Sequence, residues 1–357
     1  MKICVIGGGN IGTLMAAELS AKGNDVWVLT SSPEQWPGTL DVLDENDSAV
    51  IQNAPVTATT NLAEAVQDAA YVFVTYPTYL LADLCERLLP HIGPGQRIGM
   101  VPGACGELFL HPLMETGCTL FGLQRVHSVA RLKERGHSVY MLGRKPSINV
   151  AAIPASEAAP IASDLSDWLN MPAGTLPSYL DLTLTPSNPI LHTSRIRTMF
   201  AGWHEGVTYP KNFLFYEEWD MAASELMLAM DDELQGLCAT VPMDLSGVKS
   251  LRAHYESPDA VAMTRKISGI QAFKGLTSPM REVAENRWVP DFASRYFRAD
   301  FAYGLRAIQG IAHLCGAACP HMDEVVAWYE NVSGNRNGLR LPWASMDEMV
   351  RAYTQEQ

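Results

Sequence analysis

Gly7, Gly9 and Gly12, in the run Gly7-Gly8-Gly9-Asn10-Ile11-Gly12, are the first residues whose types and spacing could do chemistry. Gly7 permits a tight turn. Gly9 has no Cβ to hold an anion away from the backbone, and Gly12 lets the following helix pack close to the preceding strand. Asn10 and Ile11 would open that helix, so unpaired amides and the positive end of its dipole face whatever lies over the loop. The ligand suited to such a loop is the pyrophosphate of a dinucleotide; the alternative is a glycine-rich turn that binds nothing.

Other residues could handle protons and carboxylates. His192 sits three residues past the Pro189 turn. Histidine is the usual general acid or base near neutral pH, although one histidine of nine is more often structural. Arg295 could bind a carboxylate. Asp300 reads as the N-cap of a helix over 301–315. Five residues apart, these two share no face of a continuous α-helix and converge only if the chain bends between them. Gln124 and Arg125, with Arg131 beyond, follow a strand and suit a carboxylate, the arginines bidentately; solvated surface is the alternative. Pro102-Gly103 ends another strand, where ligands bind in open α/β sheets. It could pass its backbone close to a nicotinamide ring or be a plain strand-to-helix turn.

Elements must position these groups. Strands are expected at 3–6, 26–29, 72–75, 97–101, 119–123 and 138–142, with helices at 13–22, 62–67, 80–89 and 155–169. Strand–helix alternation with short links means a mostly parallel, doubly wound sheet covered on both faces. From about residue 194 the pattern is helical: 221–241 is amphipathic, 301–315 is apolar and closes at Gly316, and 323–331 is shorter. The expected organisation is an α/β Rossmann domain over 1–185 and an all-α substrate and catalytic domain over 186–357, with a cleft between them.

A net charge of −13 argues against nucleic acid as the main partner. No run reaches the ~18 apolar residues of a membrane span, and the chain opens on its first strand, with no signal peptide expected. Seven scattered cysteines fit a reduced, cytoplasmic protein. Cys315-x-x-x-Cys319 lacks two further ligands at zinc spacing, so no metal is expected.

Taken in order, these segments resemble the octopine/nopaline (opine) dehydrogenase family over nearly the whole chain. The resemblance rests on Pro102-Gly103, then Leu123-Gln124-Arg125 followed by Leu142-Gly143, then His192 after Asn188-Pro189. It rests most of all on Arg295-Tyr296-x-x-x-Asp300 with Tyr303-Gly304-Leu305 behind it; Pro320 and Asp323 follow a helix ending in Gly316. It implies that an amino acid condenses with an α-keto acid such as pyruvate to an imine, which NAD(P)H reduces. It places a His–Asp proton pair at His192 and Asp300 and a carboxylate anchor at Arg295, with Gln124 and Arg125 as further substrate contacts. The expected partners are those two substrates; a homodimer is left open.

The residues do not choose between NADH and NADPH. The second strand ends Thr30-Ser31, without the acidic residue that would hold a ribose and without an arginine for a 2′-phosphate. Glu217-Glu218-Trp219-Asp220 could hold a basic amino group or be a solvated helix end. Tyr216 and Trp219 could line a pocket, and their spacing suits packing as well. Two rival readings stand beside the family. One is a hydroxyacid, ketopantoate or glycerol-3-phosphate type dehydrogenase, for which Lys211 is the candidate catalytic lysine. The other is a dinucleotide-binding module without turnover.

Overall fold

The structure, a computed structural model, describes residues 1–185, 187–336 and 339–354, without the Ser187 side chain. Pro186, where the second domain is expected to begin, lies outside the described residues. The chain forms two compact units, Met1–Thr183 with Ala352–Gln357, and Leu184–Arg351.

The first unit is built on β1 (Lys2–Ile6), which runs through the glycine loop into helix α1 (Asn10–Ala21) and then β2 (Asp25–Leu29). Gly23, at φ +83°, turns the chain back after the helix. The strands that follow are β3 (Thr39–Leu43), β4 (Ala49–Pro55), β5 (Thr57–Thr59), β6 (Tyr71–Val74), β7 (Arg97–Met100), β8 (Thr119–Leu123), β9 (Val129–Glu134), β10 (Ser138–Leu142), β11 (Ile148–Ile153) and β12 (Ala173–Thr175). Eight of these strands form one sheet in the order β12-β11-β8-β7-β6-β1-β2-β5. Its pairings are parallel except β11 with β8. Ile3, Cys4, Val5 and Ile6 are fully buried, as a strand covered on both faces requires.

The expected strand at 138–142 exists, but not in that sheet. As β10 it joins a second sheet, β4-β3-β10-β9, in which only β10 and β3 run parallel. This sheet packs on α1. Covered on both sides, α1 has nine consecutive buried residues, Gly12 to Ser20, including Glu18.

The second unit is helical apart from one hairpin, β13 (Met280–Ala284) with β14 (Arg287–Pro290). Its main helices are Ser187–Met199, Met221–Thr240, Ala260–Ser268, Arg306–Leu314 and Pro320–Ser333. Met230, Leu234 and Leu237 face inward from the long helix, while Glu225 and Asp232 are exposed. The expected helix over 301–315 is corrected: a π-helix covers Tyr296–Leu305 and runs directly into Arg306–Leu314. Asp300 is therefore inside a helix and is not an N-cap. The stretch expected at 323–331 is the middle of Pro320–Ser333, a full-length helix with proline in its first turn.

Candidate active site

The three glycines of the loop do three different things. Gly7 has φ +113°, a conformation side chains rarely adopt. A Cβ on Gly12 would stand 1.8 Å from the Gly7 carbonyl oxygen, so glycine is needed for the helix to sit on the strand. Gly9 has an ordinary φ of −88°, and a Cβ there would meet nothing within 4 Å. Neither backbone strain nor packing calls for glycine at position 9, and the space over it is open to a ligand. Gly9 and Asn10 are exposed at the N-terminus of α1, whose first turn carries no acidic residue to compete with an anion. A dinucleotide pyrophosphate fits this cradle. Asn10 itself is a docking residue: its Oδ1 accepts from the Leu132 N–H at 2.8 Å and ties β9 to the loop. Ile11 is half-buried against the core.

Beside the loop, Thr30 is buried and its Oγ1 accepts from the Ser32 N–H, while Ser31 is exposed. A Cβ on Gly8 would stand 2.6 Å from Trp36 Cζ2. Trp36 is 8% exposed, and its indole N–H has no partner among the described residues. Sequence reasoning passed over this tryptophan. Pro102 is exposed, whereas Gly103 is buried for packing: a Cβ would lie 2.7 Å from Leu182 and 3.1 Å from the Gly122 Cα. The Gly103 N–H donates to Leu123 O at 2.7 Å, and its carbonyl accepts from the Tyr179 hydroxyl at 3.0 Å.

Gln124 and Arg125 are half-buried after β8, and Gln124 Oε1 accepts from Asn149 at 3.0 Å. Nearby His127 is core, its Nε2 2.6 Å from Glu18 of α1. Burial alone would raise the Glu18 pKa. Hydrogen bonds and charge from His127 and Arg144 outweigh burial and hold the carboxyl below its ordinary range.

The second unit brings His192, Asp300 and Tyr216 together. His192, on Ser187–Met199, is 4% exposed. Its Nδ1 is 2.8 Å from Asp300 Oδ2 on the π-helix, and its Nε2 is 3.0 Å from the Tyr216 hydroxyl. Two features let these helices approach. Gly304 leaves room for Pro189, since a Cβ would be 2.8 Å from the proline ring. The π-helix closes its turns at i+5 rather than i+4. That wider turn brings Arg295, its N-cap, and Asp300 nearer to one face than a continuous α-helix would. Charges on both act on Tyr216. Arg295 is exposed, and among the described residues it pairs with no carboxylate.

Tyr216 is the residue the sequence left undecided. Arg195, one turn along the His192 helix and 3% exposed, pins its loop: Nε donates to Phe215 O, Nη2 to Glu218 O, and Nη1 pairs with Asp220 at 2.7 Å. The acidic stretch is thereby used up. Asp220 also N-caps Met221–Thr240, Glu217 accepts from the Gly275 N–H, and Glu218 pairs with Lys211, whose side chain is 60% exposed. The fold brings His313 and Asp323 beside Cys319, three ligand-type atoms within 4.8 Å of one another that the sequence spacing did not offer. Asp323 Oδ1 accepts from Gln309, His313 and Cys319, and burial with nearby acidic charge pushes the Cys319 thiol up to about 12, so it remains a donor.

A Rossmann unit followed by a helical unit that joins a buried histidine to an aspartate is an arrangement suited to a two-part dehydrogenase. Residues 175–333 match the NAD/NADP octopine/nopaline dehydrogenase alpha-helical domain, and residues 3–101 match ketopantoate reductase PanE/ApbA. Tauropine dehydrogenase of Arabella iricolor is 26% identical over 93% of this chain and 91% of its own length. Octopine dehydrogenase of Pecten maximus is 24% identical over 94% and 90%. The fold matches that of an octopine dehydrogenase solved with NADH and L-arginine at a TM-score of 0.85 and 20% identity, over 100% of this chain and 99% of that one. The chain is similar to octopine and tauropine dehydrogenases over nearly its whole length.

Proposed function

We propose that this enzyme condenses an amino acid with an α-keto acid to an imine and reduces it to a secondary amine, with His192 and Asp300 handling the proton. It is an NAD(P)-dependent oxidoreductase acting on CH–NH donors. The observation that carries the mechanism is the His192–Asp300 contact at 2.8 Å, within the residues that match the octopine/nopaline dehydrogenase helical domain. With Asp300 accepting the Nδ1–H, the imidazole is held in one tautomer with Nε2 left to exchange the proton. Arg295, exposed and without an acidic partner among the described residues, is suited to anchor a substrate carboxylate. Gly7, Gly9, Gly12 and the N-terminus of α1 would hold the pyrophosphate, with Thr30, Ser31, Pro102 and Gly103 as further candidate contacts. The cofactor, when bound, supplies the hydride. Octopine dehydrogenase solved with NADH and pyruvate and yersinopine dehydrogenase solved with NADP+ support both the substrate class and an open cofactor choice.

The test is a screen of NADH and NADPH oxidation with pyruvate, 2-oxoglutarate and oxaloacetate, with and without a panel of amino acids. Oxidation that needs both substrates supports the proposal; oxidation with the keto acid alone rejects it in favour of a hydroxyacid dehydrogenase. Two variants sharpen the choice. Lys211 is exposed and held by Glu218, so Lys211→Ala should keep turnover within about threefold, as surface changes outside a site do. A collapse would revive the lysine-dependent rival. Arg295→Lys should raise the keto-acid KM by roughly tenfold or more, because a point charge replaces a two-pronged donor. An unaltered KM would remove the anchor role.

A further inference from the structure

We propose that Tyr216 completes a proton chain, Asp300–His192–Tyr216, and that the Tyr216 hydroxyl is the group that meets the reacting nitrogen. This inference rests on the imine-reducing function proposed above.

An imidazole has two nitrogens, and here both are engaged: Nδ1 with Asp300 at 2.8 Å and Nε2 with Tyr216 at 3.0 Å. The ring is also enclosed by Phe215, edge-on at 5.6 Å between centroids, and by Tyr296 at 4.7 Å. A substrate nitrogen could reach Nε2 directly only by displacing the phenol. That displacement is opposed from two sides. The Tyr216 ring stacks on Phe273 at 4.2 Å, and Arg195 ties the flanking carbonyls of Phe215 and Glu218 to the helix that carries His192. Relay through the hydroxyl breaks none of these contacts.

The electrostatics suit a carrier. Burial is the main influence on the phenol and raises its pKa, the nearby Tyr296, Tyr255 and Asp300 add to this, and Arg295 opposes it. The phenol therefore stays protonated and passes a proton on only as it receives one. In the reducing direction the imine nitrogen takes the Tyr216 proton with its lone pair. The phenol oxygen takes the Nε2 proton of the imidazolium, leaving neutral His192 with its Nδ1–H on Asp300. Hydride from NAD(P)H adds to the carbon, and the C=N π pair becomes the amine lone pair. Water then reprotonates the chain.

The test starts from Tyr216→Phe, which retains the ring stacked on Phe273. In wild-type enzyme that reduces the imine, this change should lower kcat roughly 10²-fold, within the span of lost acid–base groups, with the dissociation constant for NADH unmoved. Combined with His192→Ala it should add little, because members of one chain act as a unit. A fluorinated tyrosine at 216, more acidic but nearly the same shape, should move the alkaline limb of the kcat–pH profile to lower pH, since the coupled chain titrates together. If Tyr216 only covers His192, Tyr216→Phe will leave kcat unchanged or raise it, the fluorinated variant will not shift the limb, and the proposal is overturned. Additive losses in the double variant also overturn it. A wild-type enzyme that reduces no imine would instead sink the underlying functional reading.

Discussion

Replacing His192 with alanine should lower turnover by roughly 10²–10⁴-fold, the usual worth of a positioned acid–base group, while NAD(P)H affinity stays close to wild type. The separation is expected because His192 and the glycine loop belong to different units of the chain, the second and the first. Alanine also strands two groups, one half-buried and one buried: Asp300 loses the partner of its carboxylate, and the Tyr216 hydroxyl loses its acceptor. Each stranded group costs about 1–3 kcal/mol, so part of the loss could reflect a loosened unit. His192→Asn addresses that. Its amide can still donate to Asp300, yet it cannot exchange a proton near neutral pH. Both variants should be nearly inactive, and the asparagine form should melt closer to wild type. Steady-state kinetics, a cofactor fluorescence titration and thermal melts together measure all of this. Turnover within a few fold of wild type in either variant would remove His192 from the mechanism.

The central parallel strands were legible because each is a short, continuous apolar run between turn residues. Ile3 to Ile6 and Tyr71 to Val74 are buried along their length. The second sheet was not. β4, at its edge, buries only Ala54 outright, so it shows neither alternation nor an apolar run. β10 looked like one more parallel strand because its composition says nothing about which sheet it joins. In the helical unit, Phe297, Phe301 and Leu305 recur every four residues. That spacing fits an α-helix as well as a π-helix, so the wider turn that places Asp300 was invisible. The positions of His192, Asp300 and Arg295 came from a motif resemblance; spacing alone left His192 one histidine among nine. Tyr216 was undecided for a different reason. Its partner is 24 residues away in sequence, and the loop that presents it is held by Arg195, whose ion pair no local pattern announces.

Gly9→Val should abolish binding of both NADH and NADPH without unfolding the protein. The two halves of that expectation have separate physical causes. A Cβ at position 9 meets no atom of the chain within 4 Å, and φ −88° is available to any residue. The folded state therefore has no steric reason to object, and the melting temperature should hold within a few degrees, the scale of an ordinary surface change. The pyrophosphate, however, is expected in that open space, and a branched side chain would occupy it. Gly12→Val supplies the contrast. Its Cβ would fall 1.8 Å from the Gly7 carbonyl oxygen, so helix and strand could not stay packed. That variant should lose fold and binding together. Calorimetric titration with each dinucleotide, alongside thermal melts, distinguishes the two. If Gly9→Val binds cofactor as tightly as wild type, the glycine loop is not the pyrophosphate site, and the open space over residue 9 needs another explanation.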